Sequence, residues 1–179
     1  RIPRGEVVVY TSTQSGSDPF DQRWRDEFGV EVIRDRASIL LPTPRVIKNL
    51  QREIRSRNLT KVWFGAAAPL GFSARWLRKS GAQHIVALTH GHEVWWSKIW
   101  PFSWAMKEIA RSVDIATYLG DFTRRALEPR FTDSRKLIKV APGIDTDHFK
   151  PHDSIELRRS LQLHDRPTII SVGRLVHRK

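Results

Sequence analysis

Cysteine is absent from the 179 residues. This excludes disulfide scaffolds, CxxC redox centres and cysteine-ligated zinc. Long apolar runs are missing too. The longest nearly apolar stretch, Trp63 to Phe72, is ten residues, about half of a membrane span, so no bilayer crossing is expected. The chain opens Arg-Ile-Pro-Arg-Gly, with no apolar segment of the signal-peptide kind. Its ten glycines never fall into GxGxxG, and GxxxxGK followed by Ser or Thr does not occur. Neither a dinucleotide fingerprint nor a P-loop is supported. Methionine occurs once, as Met106, so residue 1 is not expected to be a natural start. Thr168 to Lys179 begins a strand and a charged turn and then stops. Both ends are expected to be cut, with functional parts missing.

What is plentiful is positive charge. Lys and Arg number 31 against 19 Asp and Glu, a formal net charge of +12. Such a surplus attracts polyanions and weakens with salt. Nucleic acid, an anionic membrane surface and phosphorylated small substrates all fit it. Hydrophobic residues make up 40%, enough for a core and too many for a disordered basic tail.

Strand and helix patterns alternate along the chain. Short β-branched or apolar runs predict strands at Glu6–Tyr10, Val30–Ile33, Lys61–Phe64, His84–Leu88, Ile115–Tyr118 and Leu137–Val140. His84–Leu88 reads as the most central. Between them, Thr11–Asp18 reads as a loop and Gln22–Phe28 as a short helix ending at Gly29. A helix from Thr43-Pro44 has Thr as N-cap and Pro in the first turn, and it stops near Asn58. Further helices are predicted at Phe72–Lys79, closed by Gly81, and at Phe102–Val113 and Asp121–Leu127. Strands separated by helices of this length imply a parallel sheet covered on both faces. Ala141–Asp153 has two prolines, a glycine and no periodicity, and reads as a hinge. Ser154–Leu161 is then a short helix, and Thr168–Val172 a buried strand opening a second α/β unit. The expected division is residues 1–148 and 149–179.

Four features carry chemistry. Ligands of open parallel sheets sit beyond the carboxyl ends of the strands. There, after His84–Leu88, stands Thr89-His90-Gly91-His92-Glu93. It offers two imidazoles able to donate or accept near neutral pH, a carboxylate, and a glycine that permits close approach. Capping of the strand end is the plain alternative. Zinc fits poorly, since His90 and His92 supply two ligands and no third is evident, so no metal is expected. The second feature is Gly173-Arg174-Leu175-Val176-His177-Arg178-Lys179. Cations after a strand and a glycine suit a phosphate or diphosphate, although charged runs are often merely solvated. Third, on the helix from Thr43, Arg45, Lys48, Arg52 and Arg55 share one side and Val46, Ile47, Leu50 and Ile54 the other. That basic side suits anionic lipid or plain water. Fourth, Trp95, Trp96, Trp100, Phe102 and Trp104 crowd ten residues. Phe102, Met106, Ile109 and Val113 form the core face of their helix, and Trp104 falls opposite, beside Lys107 and Arg111. Tryptophan near cations outside a core suits a membrane interface.

Several of these stretches resemble a known family. Arg34-Asp35-Arg36, Leu40-Leu41-Pro42-Thr43-Pro44, Val62 to Leu70 (VWFGAAAPL) and Thr89 to Glu93 (THGHE) are similar to actinobacterial GDP-mannose-dependent phosphatidylinositol monomannoside mannosyltransferases. Pro142-Gly143-Ile144-Asp145, Phe149 and Pro151 resemble the hinge signature of the wider retaining glycosyltransferase family four. Gly173-Arg174-Leu175 with Arg178-Lys179 resembles its donor-diphosphate motif. The first strand with its glycine-rich loop, and the family's paired glutamates, are not in this chain.

The resemblance implies a GT-B fold, two Rossmann-like domains, of which the second is here only begun. It implies mannosyl transfer with retained configuration, without metal or cofactor, from GDP-mannose as donor substrate to an anionic lipid acceptor. Gly173, Arg174 and Lys179 would then hold the donor diphosphate. His90 or His92 would face the transferred sugar, with His90 the nearer to the strand end. Arg45, Lys48, Arg52, Arg55, Trp100 and Trp104 become candidates for the acceptor lipid and the membrane. The expected location is cytoplasmic, peripheral at the inner face of the cell membrane, with no nucleic acid as partner. The fragment alone is expected to be inactive. The competing readings are another GT-B enzyme with a different sugar nucleotide or acceptor, and a basic nucleic-acid-binding module.

Overall fold

The computed structural model describes residues 5–163 and 166–173. The chain divides into two compact units, Arg1–Pro142 and Gly143–Lys179.

The first unit alternates strand and helix throughout. In order come β1 (Val8–Ser12), α1 (Ser17–Phe28), β2 (Glu31–Asp35), α2 (Pro44–Ser56), β3 (Lys61–Phe64), a 3₁₀ turn (Leu70–Ser73) and α3 (Ala74–Arg78). There follow β4 (His84–Leu88), α4 (Glu93–Trp96), α5 (Phe102–Ser112), β5 (Ile115–Tyr118), α6 (Asp121–Leu127) and β6 (Leu137–Lys139). Every strand pair is parallel. They form a two-stranded ladder, β1-β2, and a four-stranded one in the order β3-β4-β5-β6. The class is a parallel sheet with helices on both faces, as the alternating pattern required.

Local chemistry explains the element ends. Thr43 accepts a hydrogen bond from the Val46 amide and Pro44 opens α2, so the first turn is capped and pre-set. Asn58 takes the left-handed conformation after its end, with φ 53°. Gly29, at φ 67°, ends α1, and its amide bonds back to Arg25.

The strands β1 and β2 begin later than their apolar runs. Their register pairs Val8 with Glu31 and runs on to Ser12 opposite Asp35. Ladder pairing therefore carries β1 two residues into the expected Ser/Thr loop. The strand β4 does lie inside its ladder. Ile85 and Ala87 are buried there with Leu77 of α3, Met106 and Ile109 of α5, and Leu127 of α6 in one core. Each large side chain removed from water in this way contributes about 1.5–3 kcal/mol.

Two expectations are corrected. Phe102, expected on the core face of α5, is 42% exposed. It is the first residue of the helix, and its ring packs on Trp96 at 4.8 Å instead. In the second unit, α7 (Ile155–Ser160) forms, but Thr168–Val172 is irregular and its Ile169 is 97% exposed. A buried strand needs a ladder partner and a covering layer, and the described residues of this unit supply neither. The hinge sequence is locally ordered. Asp145 Oδ1 accepts from the amides of Asp147 and His148 at 3.0 and 3.1 Å, the side-chain turn that Asp favours.

Candidate functional site

The loop after β4 is built around a buried acid. Thr89 Oγ1 donates to the Thr117 carbonyl of β5 at 2.6 Å, which ties the strand end to its neighbour. Gly91 then turns the chain at φ +94°, a conformation that side chains rarely adopt. A Cβ there would meet Thr123 Oγ1 at 3.7 Å, so space is not the obstacle and backbone conformation is. The turn brings Glu93, the first residue of α4, beneath the loop, where it is fully buried. Its Oε2 accepts from the His90 amide at 2.9 Å. Among the described residues its Oε1 has no hydrogen-bond partner, and it lies 3.4 Å from His92 Nε2.

The two imidazoles are brought together at the surface. Their rings stack with centroids 6.3 Å apart and planes 10° from parallel. His90 Nε2 sits 2.6 Å from the Gly65 carbonyl, just beyond β3. A carbonyl can only accept, so Nε2 carries the proton. The ring's Nδ1 is then its acceptor when neutral. His90 thus bridges the carboxyl ends of β3 and β4 while remaining exposed. Both histidines stand where the sequence put them, and their support, Glu93, was visible only as one more polar residue of the loop. Among the described residues, no group of three or more His, Asp or Glu is arranged to hold a metal.

A second polar site lies at the end of β2. Asp35, only 4% exposed, accepts from Arg45 Nη2 at 2.7 Å and Nη1 at 3.2 Å, and from Tyr10 Oη. The Ala37 amide and Asn49 Nδ2 donate to it at 2.9 and 3.3 Å. The Arg45 guanidinium, foremost, and the Tyr10 hydroxyl hold this carboxyl far below the ordinary carboxylate range. Burial, followed by the bond to Asp35, pushes the Tyr10 phenol up to about 12. Sequence reading missed this cluster. Arg34-Asp35-Arg36 stood out as a motif, but nothing linear places Tyr10 beside it.

The network yields a prediction. Replacing Asp35 with Asn is expected to destabilise the protein by about 2–3 kcal/mol near pH 7. That is less than for a wholly buried ion pair, because Arg45 is 53% exposed. A depressed folded-state pKa contributes stability that is full above the unfolded value and lost as pH falls through the folded one. Urea melts should therefore show the gap between wild type and Asp35→Asn narrowing below about pH 4. A gap independent of pH down to pH 2 would show that the charge of Asp35 is not what holds the cluster.

The remaining candidates are scattered. Arg45, Lys48, Arg52 and Arg55 share the exposed side of α2, although Arg45 is paired as described. Trp100 is 81% exposed, and Trp104 is half-exposed with its ring 5.5 Å from Phe72. Gly173 is exposed in the irregular part of the second unit. Arg174 and Lys179 lie outside the described residues.

The fold, with its polar loop beyond a parallel strand, is that of the GT-B glycosyltransferases. Solved structures of Anabaena HepE share it: the complex with UDP at TM-score 0.58 and that with UDP and glucose at 0.53. In both, 10% of residues are identical over 88% of this chain and 50% of theirs. More particularly, residues 4–148 match Glycosyltransferase Family 4, and the chain belongs to that family.

Its curated relatives include the GDP-mannose-dependent alpha-(1-6)-phosphatidylinositol monomannoside mannosyltransferase of Mycobacterium tuberculosis, strain H37Rv. That enzyme is 37% identical over 175 residues, which are 97% of this chain and 45% of the relative. The GDP-mannose-dependent monoacylated alpha-(1-6)-phosphatidylinositol monomannoside mannosyltransferase of Corynebacterium glutamicum is 34% identical over 177 residues, 97% of this chain and 46% of its own. The chain therefore spans about half the length of the curated relatives it matches.

Proposed function

We propose that the whole protein transfers mannose from GDP-mannose to a phosphatidylinositol mannoside, with retention of configuration. The carrying observation is the likeness to GDP-mannose-dependent enzymes of this kind across 97% of the chain, at 37% identity for one of them. The geometry of the Thr89–Glu93 loop supports the same reading. In this account the sugar sits over the carboxyl ends of β3 and β4. There His90, held by Gly65 and by Glu93, presents an imidazole to the sugar hydroxyls, with His92 beside it. The diphosphate leaves from the face that the acceptor hydroxyl approaches. Arg174 and Lys179, following Gly173, neutralise the charge it develops, in place of a metal ion.

No helix among the described residues is long and apolar enough to cross a membrane. We place the protein at the cytoplasmic face of the cell membrane. Lys48 and Arg55 on α2 meet anionic lipid there, at about 1 kcal/mol each, and Trp100 and Trp104 enter the interface. The donor choice is tested by offering the whole protein GDP-mannose or UDP-glucose with vesicles containing phosphatidylinositol monomannoside. Label should enter lipid from GDP-mannose alone. Transfer from UDP-glucose at an equal rate would refute the donor assignment.

A further inference from the structure

At the carboxyl ends of β1 and β2, against α2, lies a cavity of about 610 Å³, within the range of small-molecule sites. Four arginines line it: Arg34, Arg36, Arg45 and Arg52. Two carboxylates, Asp35 and Glu53, share the lining, and both are already committed. Asp35 takes the donors described above, and Glu53 Oε2 accepts from Arg57 Nε at 3.1 Å. Arg34 is committed as well, to Asp21 at 2.6 and 2.8 Å and to the Ser12 carbonyl at 2.8 Å. Two guanidinium groups are left over. Arg36 makes no hydrogen bond or ion pair among the described residues, and Arg52 has only a loose 3.7 Å approach to Glu53.

The geometry points to this cavity as the seat of a phosphodiester, the headgroup phosphate of the lipid acceptor, held between Arg36 and Arg52. The inference rests on the acceptor reading above. Four cations against two carboxylates leave the lining with two positive charges, and a diester brings one negative charge. The planar guanidinium fork matches phosphate oxygens in pairs. The volume exceeds what a lone phosphate fills and leaves room for the cyclitol attached to it. The locked Asp35 cluster forms the back wall, and its acid, saturated with donors, offers little repulsion to an anion. Lys48 and Arg55, on the same side of α2, are not in the lining and remain for the bilayer. The basic side of α2 therefore divides into a pocket pair, Arg45 and Arg52, and a surface pair.

The test uses the whole protein and a water-soluble headgroup, glycerophosphoinositol, with inorganic phosphate as the second probe, both by calorimetry. Glycerophosphoinositol is expected to bind more tightly than inorganic phosphate. Arg36→Gln and Arg52→Gln should each weaken it about tenfold, the loss of one charge-assisted contact. In transfer assays the same variants should raise the acceptor KM about tenfold, with kcat and the GDP-mannose KM unchanged. A double variant, Lys61→Gln with Lys139→Gln, removes two exposed charges elsewhere and should change neither. Equal binding of the two probes would overturn the headgroup assignment. Undiminished glycerophosphoinositol binding in both arginine variants would overturn the pocket, even where mannose transfer is established. If those variants lose binding while the wild-type protein transfers no mannose, the pocket stands and the transferase reading falls.

Discussion

Replacing Arg174 or Lys179 with alanine is expected to slow mannosyl transfer by the whole protein about 30- to 1000-fold, corresponding to about 2–4 kcal/mol of transition-state stabilisation. The reason is electrostatic. A departing diphosphate accumulates charge as the glycosidic bond breaks, and a preorganised cation with no water to displace lowers the cost of that charge. Arginine and lysine are not equivalent in this role, since arginine offers a fork and lysine a point charge. Arg174→Lys should therefore recover only part of the loss. The expected pattern is a fall in kcat larger than any rise in donor KM, because the charge is greatest in the transition state. Turnover near wild type in both alanine variants would remove these residues from the reaction.

Glu93→Ala is the second large effect, about a hundredfold lower turnover. Glu93 is fully buried, and its Oε2 fixes the His90 amide. His90 in turn reaches the Gly65 carbonyl. Without the carboxylate, the loop loses the bond that sets its height over the strand ends. A displacement of about 1 Å at a reacting centre costs on the order of a hundredfold. Glu93→Gln keeps an acceptor for the His90 amide and should restore most of the turnover. Circular dichroism and melting curves on both variants separate lost positioning from lost folding. A folded Glu93→Ala protein with wild-type turnover would contradict the role given to this loop.

Much of this arrangement was legible in the sequence because its determinants are local. Thr43-Pro44 announces α2 through one cap and one fixed φ, and Asn58 and Gly29 announce their stops. The run His84–Leu88 pairs on both sides and buries Ile85 and Ala87. The polar residues after it fall at the strand end by chain order alone. What was not legible depends on contacts distant in sequence. Tyr10 reaches Asp35 only because the β1-β2 register sets Tyr10 opposite Ile33 and Ser12 opposite Asp35. Arg36 and Arg52 line one cavity only because Arg45 and Asn49 tie α2 to Asp35 at the end of β2. The helix α4 was hidden among tryptophans whose pattern spoke of an interface rather than of a turn. Thr168–Val172 has the composition of a buried strand, yet it stands exposed, with no ladder to join among the described residues. Composition gives a segment its capacity for a structure, and neighbours decide whether it is realised.

The central claim is retaining transfer of mannose from a nucleotide to a lipid. Its most direct test is the product itself. The whole protein is incubated with GDP-mannose and vesicles of phosphatidylinositol monomannoside, and the extracted lipid is examined by NMR. The expected product is a lipid carrying one additional mannose in α-linkage, the configuration it had in the donor. A β-linked product, or consumption of GDP-mannose with no mannose on lipid, would contradict it.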